Sequence, residues 1–156
     1  LAQRLKCSRS EAKVIIDDYF KSFPTIRKFI DDTLQGARDN GYVQTIFGRR
    51  RYVTDVNAHN AQVRALAERN AVNAPIQGSA ADIIKLAMIA VDRRLREERL
   101  KARMVLQIHD ELVLEVPSDE IEKVRDILVS EMEGVMKLSV PLTVECNYGK
   151  TWLEAH

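Results

Sequence analysis

Residues 104–116 read Met-Val-Leu-Gln-Ile-His-Asp-Glu-Leu-Val-Leu-Glu-Val, two apolar runs around a short polar break. Apolar runs of this length are typical of strands, and a three-residue break between them predicts a β-hairpin. The break consists of His109, Asp110 and Glu111. We therefore expect an imidazole and two adjacent carboxylates on a rigid, mostly buried support.

This turn has two possible interpretations. Hairpin turns usually hold Gly or Asn, and this one has neither, so its three ionisable groups bring charge repulsion that something should offset. A divalent cation held by the oxygens of Asp110 and Glu111 would do so. An ordinary solvated turn is the alternative, and spacing alone leaves both open.

A second hairpin is predicted around residues 42–53. Tyr42 to Phe47 alternate like a strand, and Gly48 is followed by Arg49, Arg50 and Arg51 before the chain continues into Tyr52. Three arginines on a short glycine loop would make a good site for the phosphate backbone of a nucleic acid. An unspecific basic turn is the alternative.

The longest helical region spans residues 60–99, with a kink or break expected near Pro75. Arg69, Asn73 and Gln77 follow at intervals of four residues, with Arg64 about one turn earlier. Such side chains can donate to acceptors that every base pair shows in the minor groove, although a polar solvent face gives the same spacing. The predicted buried stripe of this helix comprises Leu66, Val72, Ile76, Ala80, Ile83 and Ala87.

Two helices are predicted before the arginine hairpin. Ser8 and Glu11 fit a capping box at the start of the first, Pro24 separates the two, and Gly41 ends the second. The predicted buried side chains are Ala12, Ile15, Ile16, Tyr19 and Phe20 in the first helix, and Ile26, Phe29, Ile30, Leu34 and Ala37 in the second.

The C-terminal region is predicted to contain one helix and one strand. Pro117-Ser118-Asp119 would cap the helix, and residues 140–146 would form the strand. Trp152 is expected to anchor the core. The inward side chains of the helix would be Ile121, Val124, Ile127, Leu128, Met132 and Val135.

Composition limits the kinds of protein that this sequence can form. The chain has 156 residues with 46% hydrophobic content, enough for one domain with a real core. No apolar run approaches the roughly 20 residues of a membrane span, so no membrane partner is expected. Cys7 and Cys146 lack metal-ligand or redox spacing, which indicates a reducing, intracellular setting.

Charge is unevenly distributed along the chain. The net charge is only +1, yet residues 38–103 hold 13 Lys and Arg against 7 Asp and Glu, and residues 104–156 hold 4 against 11. A basic middle beside an acidic end suits phosphate binding combined with metal binding. Solvated helix faces would give the same asymmetry.

Three segments resemble the family A DNA polymerases of the bacterial polymerase I type. They are Thr45-Ile-Phe-Gly-Arg-Arg50, Ala67-Glu-Arg-Asn-Ala-Val-Asn-Ala-Pro-Ile-Gln-Gly-Ser-Ala-Ala-Asp82, and Gln107-Ile-His-Asp-Glu-Leu-Val113. The resemblance implies an α+β fold, with long helices packed on a small antiparallel sheet that carries the catalytic hairpin. It also implies a partial polymerase domain, with fingers-side helices and the basic hairpin in residues 1–59 and the palm in residues 60–156.

The resemblance also implies roles for individual residues. Asp110 would be a metal ligand, Glu111 a weaker or outer ligand, and His109 a group near the primer terminus, in a site using two Mg²⁺ ions with Mn²⁺ as a possible substitute. Primer–template DNA would be contacted by Arg49, Arg50, Arg64, Arg69, Asn73 and Gln77. The other partners would be deoxynucleoside triphosphates and the upstream palm and fingers of the same polymerase. Asp82 is interpreted as structural.

Two features of the family's active site are missing from the sequence. Neither the upstream Asp-Tyr-Ser-like motif nor the nucleotide-binding helix with its Lys and Tyr occurs. We therefore expect a C-terminal fragment of a bacterial, cytoplasmic, nucleoid-associated enzyme of replication and repair. It would be inactive alone and prone to dimerise or swap domains through uncovered apolar surface. The alternatives are a non-catalytic DNA-binding module and a single-subunit phage-type RNA polymerase, although Glu111 favours a DNA polymerase.

Overall fold

A computed structural model describes residues 1–155, which form helices and two small antiparallel sheets. The predicted α+β class is confirmed. In chain order the elements are α1 (Ala2–Leu5), α2 (Arg9–Ser22), α3 (Pro24–Asn40), β1 (Tyr42–Gln44), β2 (Arg50–Tyr52), a 3-10 turn (Thr54–Asn57), α4 (Ala61–Glu97), β3 (Arg103–Ile108), β4 (Glu111–Glu115), α5 (Ile121–Glu133) and α6 (Trp152–Ala155).

The chain divides into two compact units, residues 1–76 and the described residues from Gln77 onward. The division lies inside α4, so this helix contributes to both units. The predicted division near residue 59 concerns subdomains of a larger polymerase and stays a prediction.

Local signals set the helix boundaries of the first unit as predicted. The Ser8 hydroxyl accepts the Glu11 N–H while the Glu11 carboxylate accepts the Ser8 N–H, which completes the capping box of α2. A hydrogen bond from the Ser8 hydroxyl to the Glu11 carboxylate (2.7 Å), and then the one from the Ser8 N–H, hold the pKa of Glu11 below its ordinary value. Pro24 opens α3, and Gly41 ends it with φ +75°, a conformation that glycine adopts without strain.

The core of the first unit consists mainly of small side chains. It combines residues of α3, β1, the 3-10 turn and α4, namely Ala37, Val43, Val53, Val56, Ala67, Ala71 and Ala74, with Leu34 packed at its edge. Alanine loses no rotamer freedom on burial, so this core costs little side-chain entropy.

The stripe predicted on α4 is partly wrong. Leu66 and Ile76 are 52% and 63% exposed, and Ala80 is also exposed. Ala87 is buried as predicted. Because Ala67, Ala71 and Ala74 turn the helix's small face toward the core, the larger side chains fall on its other side.

Large apolar side chains on α2 and α3 are also less buried than predicted. On α2 only Ala12 is buried, and Ile15, Ile16 and Tyr19 are 46%, 41% and 47% exposed. The Tyr19 ring packs against the Phe20 and Phe23 rings, with centroids 5.5 and 5.0 Å apart, so part of this apolar surface is covered by neighbouring aromatic side chains.

Of the kink or break expected near Pro75, the break does not occur, because α4 continues through this residue. The kink stays a prediction. A proline inside a helix removes one hydrogen bond and crowds the carbonyl four residues earlier, at a cost of about 3 kcal/mol. Ala71 and Ala74 are buried in the core on the turn before the proline, and this packing holds the helix together there.

By length and composition alone, α4 passes the test for a membrane-spanning helix. A single such helix is weak evidence, because core helices of globular proteins pass the same test. This helix also carries Arg64, Glu68, Arg69, Asp82 and Lys85, and charged side chains are costly in hydrocarbon.

The core of the second unit joins the end of α4 to α5 and to the β3–β4 hairpin. It contains Val91, Leu95, Ala102, Val124, Ile127 and Leu128, with Met104 and Leu114 of the hairpin packed against it. The inward positions of Val124, Ile127 and Leu128 are confirmed.

Ion pairs reinforce the same contact between helices. Arg94 of α4 binds Glu131 of α5 at 3.0 Å and Glu98 at 2.9 Å, and Lys123 of α5 binds Glu98 at 2.6 Å. The hydrogen bonds from Lys123 and then Arg94 hold the pKa of Glu98 below its ordinary value, and those from Glu98 and Glu131 raise the pKa of Arg94.

The predicted cap of α5 is wrong. The helix begins after Glu120, and no side chain caps it. Instead the Glu120 carboxylate accepts the backbone N–H groups of Lys101 (2.9 Å) and Ala102 (3.1 Å), which connects the start of β3 to the start of α5.

Three further predictions for the C-terminal region are wrong. Residues 140–146 form no strand, and the Val144 N–H donates to the Glu133 carboxylate rather than to a strand partner. Val135 lies beyond the end of α5, and Trp152 is 51% exposed rather than buried in the core. An alternating pattern forms a strand only where another strand is available to pair with it.

Candidate functional site

The predicted hairpin at residues 104–116 forms with a tighter turn than expected. Ile108 pairs with Glu111, so the connection has two residues, His109 and Asp110, and Glu111 is the first residue of β4. His109 adopts φ +52°, a left-handed conformation that is uncommon without glycine. The Gln107 side-chain amide donates a hydrogen bond to the His109 carbonyl, which stabilises this turn.

The hairpin is not the mostly buried support that was expected. His109 and Asp110 are exposed, Glu111 is half-buried, and Val105 and Leu106 are 49% and 47% exposed. The register shifts between Met104 and Leu106. Such a bulge adds one residue, so Met104 faces the core while the next paired residue, Leu106, faces away from it.

Asp110 and Glu111 fit a metal site only as part of a larger ligand set. Magnesium prefers six oxygen ligands in octahedral geometry, and two neighbouring carboxylates supply a fraction of these. Among residues 1–155 no group of three or more His, Cys, Asp or Glu side chains is placed to hold a metal ion. Further carboxylates would have to complete the site.

The arginine hairpin forms, but two of its arginines lie in a strand rather than in the loop. Gly48 turns the chain with φ +80°, and the Thr45 hydroxyl accepts the N–H groups of Phe47 and Arg49. Arg50 and Arg51 belong to β2, where they pair with Gln44 and Val43. All three arginine side chains are exposed, so the expected concentration of positive charge is present.

An aromatic contact that sequence analysis missed orders one of these arginines. The Arg50 guanidinium lies 4.5 Å from the centroid of the Tyr42 ring, and Tyr42 packs edge-on against Tyr52 with centroids 5.9 Å apart. The signal was available, since a hairpin closed at Gly48 places both tyrosines and Arg50 on one face. It could be used only once the register was known.

The predicted polar residues of α4 differ in their surroundings. Arg64 is half-buried and donates to the Ala58 carbonyl at 2.9 Å, which ties the start of α4 to the preceding loop. Arg69 and Asn73 are exposed one turn apart in the first unit. Gln77 is exposed at the start of the second unit.

Comparison with protein families assigns residues 1–154 to the model described as DNA polymerase family A. The chain belongs to DNA polymerase family A. It is 52% identical to DNA polymerase I of Geobacillus stearothermophilus and 51% identical to that of Chloroflexus aurantiacus, each over 99% of this chain. Because the matched relatives are DNA polymerases, the phage-type RNA polymerase alternative is not favoured.

A solved polymerase domain contains the same fold. The polymerase domain of Pol1 from M. smegmatis, described as a complex with DNA primer-template and dNTP, has a TM-score of 0.96 and 46% identity over 99% of this chain. The chain spans 27% of that structure, and 18% and 16% of the two curated relatives. It therefore corresponds to one part of these proteins.

Proposed function

We propose that this chain is the C-terminal part of the polymerase domain of a bacterial DNA polymerase I, which adds deoxynucleotides to a primer 3′ end. The supporting observation is family membership over residues 1–154 combined with a hairpin that places His109 and Asp110 in its turn and Glu111 directly after it. The solved relative's partners, primer–template DNA and dNTP, are extended to this chain on that basis.

In this proposal Asp110 is the direct metal ligand and Glu111 supports it. The exposed carboxylate of Asp110 is accessible to an ion, whereas half-buried Glu111 suits a weaker or outer ligand. Two Mg²⁺ ions, or Mn²⁺ in their place, would stabilise the attacking and leaving oxygens of nucleotidyl transfer. His109 would lie near the primer terminus, in a turn stabilised by the hydrogen bond from Gln107.

The proposed DNA contacts divide into two kinds. Arg69, Asn73 and Gln77 would donate to minor-groove acceptors common to all base pairs, which suits an enzyme that must accept any correctly paired sequence. Arg49, Arg50 and Arg64 would contact phosphates, and such contacts position the DNA without reading its sequence.

The test is primer extension by a chimera. This chain would replace the corresponding segment of Geobacillus stearothermophilus DNA polymerase I, to which it is 52% identical. We expect the chimera to extend a primer in Mg²⁺ and Asp110→Asn to lower kcat more than about 100-fold, since changes outside the first ligand shell already cost about 10- to 100-fold. Asp119→Asn, an exposed acid outside the hairpin, is the control.

Extension by the chimera that Asp110→Asn leaves intact would overturn the proposed role of this hairpin. The chain alone should not extend a primer, because its two adjacent carboxylates form only part of a two-ion site. Extension by the isolated chain that disappears in Asp110→Asn would mean that the missing carboxylate lies within these 156 residues.

We further propose that the upstream palm and fingers cover the exposed apolar side chains, which include Ile15 and Ile16 on α2 and Val105 and Leu106 on β3. Apolar patches of this kind mark surfaces that pack against a partner. The isolated chain would then form dimers or domain-swapped pairs, and light scattering across a concentration series tests this. The whole protein would act at the chromosome in a bacterial cytoplasm.

A further inference from the structure

The outer face of the β1–β2 hairpin is aromatic and basic. Tyr42 pairs with Tyr52 and Gln44 with Arg50, and side chains of paired residues lie on the same face of a sheet. The other pair, Val43 with Arg51, lies on the opposite face, where Val43 is buried in the core. Tyr52 is 70% exposed, a large fraction for an aromatic side chain.

Arg50 is ordered on this face with its hydrogen-bonding edge still available. The guanidinium carbon of Arg50 lies over the Tyr42 ring at 4.5 Å from the ring centroid. A cation–π contact of this kind uses none of the N–H donors of the guanidinium, so they remain able to bind a phosphate. Within residues 1–155 no carboxylate lies at ion-pair distance from Arg50 or Arg51. The face therefore combines an exposed aromatic ring, that of Tyr52, with the positive charge of Arg50, which forms no ion pair with a carboxylate of the described residues.

We propose that this face binds unpaired DNA next to the duplex, with a base stacked on Tyr52 and its phosphate held by Arg50. This inference rests on the proposed polymerase function and adds a contact to single-stranded DNA that the arginines alone do not give. Stacking on aromatic side chains and charge attraction to the backbone together are how proteins bind single strands without sequence preference. An acidic peptide would use the charge of Arg50 but would not need the exposed ring.

The test compares DNA ends by fluorescence anisotropy, using the full chain. Three labelled duplexes are used: a blunt duplex, one with a short single-stranded overhang, and one with an abasic overhang of equal length. We expect the base-bearing overhang to bind about tenfold more tightly than the abasic overhang, within the range of one base–aromatic stack, and the blunt duplex, which lacks the overhang phosphates as well, to bind most weakly. Tyr52→Ala should remove this preference and Tyr52→Phe should keep it. Tyr148→Ala is the matched control, since Tyr148 is 64% exposed and lies far along the chain.

The possible outcomes distinguish a failure of the stacking site from a failure of the DNA-binding proposal. Equal affinity for base-bearing and abasic overhangs, or an overhang preference that survives Tyr52→Ala, would overturn the stacking site and leave duplex binding in place. Failure to bind any of the three duplexes would overturn the DNA-binding proposal itself, and the stacking site with it. Circular dichroism melts of each variant establish that a lost preference reflects the side chain and not unfolding.

Discussion

The Glu120 side chain, which lies outside the candidate site, connects two segments of the second unit. Its carboxylate satisfies the backbone N–H groups of Lys101 and Ala102, which lie 19 and 18 residues earlier. We expect Glu120→Ala to lower the free energy of unfolding by about 1–2 kcal/mol, because an unsatisfied, partly buried amide costs roughly that much. Urea unfolding followed by circular dichroism measures the change.

Glu122→Ala is the matched control for this residue. Glu122 binds Arg125 at 2.6 Å, but its side chain is 67% exposed. Exposed pairs contribute at most about 1 kcal/mol and often much less, so this variant should remain close to wild type. Equal losses in the two variants would mean that Glu120 acts only through the helix and not through the two amides.

For individual side chains, the sequence predicted hydrogen bonds whose two partners lie close together along the chain. The Ser8–Glu11 capping box was predicted because both partners lie within one helical turn. Glu120 was missed because its partners are about 20 residues away, and Asp119, its neighbour in sequence, looked like the better cap. The left-handed turn at His109 was missed because hairpins usually place glycine or asparagine there.

The contact between α4 and α5 depends on Glu98, which receives both Lys123 and Arg94. Because these bonds lower the pKa of Glu98 in the folded state, its contribution to stability is fully present above the ordinary value of 4.5 and is lost as the pH falls through the folded-state pKa. We expect Glu98→Gln to be less stable than wild type at pH 7, and the difference to shrink below pH 4.5. Urea unfolding at several pH values tests this.

The neighbouring residue Glu97 provides the control. It lies 3.9 Å from Arg93 with both side chains largely exposed, so Glu97→Gln should show a small difference at pH 7 and little change with pH. A Glu98→Gln deficit that stays constant from pH 7 down to pH 3 would contradict the role given to its ionised form.

Helices and hairpins were predicted well where the spacing of residues along the chain determines them. Burial was predicted less well, because it depends on which other elements pack against a helix or strand. The helices α2 to α5, both hairpins and the inward positions of Val124 and Ile127 follow from spacing along the chain. Local rules predicted a kink or a break at Pro75, yet α4 continues through this residue beside the buried Ala71 and Ala74. The large side chains of α2 looked like core residues because a periodic pattern indicates a face without saying what covers it.

The whole molecule separates its charges along the sequence. The arginine hairpin lies in the segment with a surplus of six positive charges, and the Asp110 turn lies in the segment with a deficit of seven. Phosphate binding and metal binding need opposite signs, so one chain with a net charge of only +1 can supply both. This asymmetry was readable from the sequence, but which arginines are ordered by neighbours was not.

The dependence of DNA affinity on salt reports how many of these charges meet phosphates. Each phosphate contact contributes about 0.9 to the slope of log K against log salt on duplex DNA. If Arg49 contacts a duplex phosphate and Arg50 a phosphate of the unpaired strand, where a contact contributes about 0.7, the double variant Arg49→Ala, Arg50→Ala should reduce the slope on an overhang duplex by about 1.6. Arg93→Ala, Arg96→Ala is the control, because these side chains pair with Glu97 and Asp92 on the surface of α4. An equal reduction in both double variants would show that DNA responds to net charge alone, and the hairpin would then have no special place in binding.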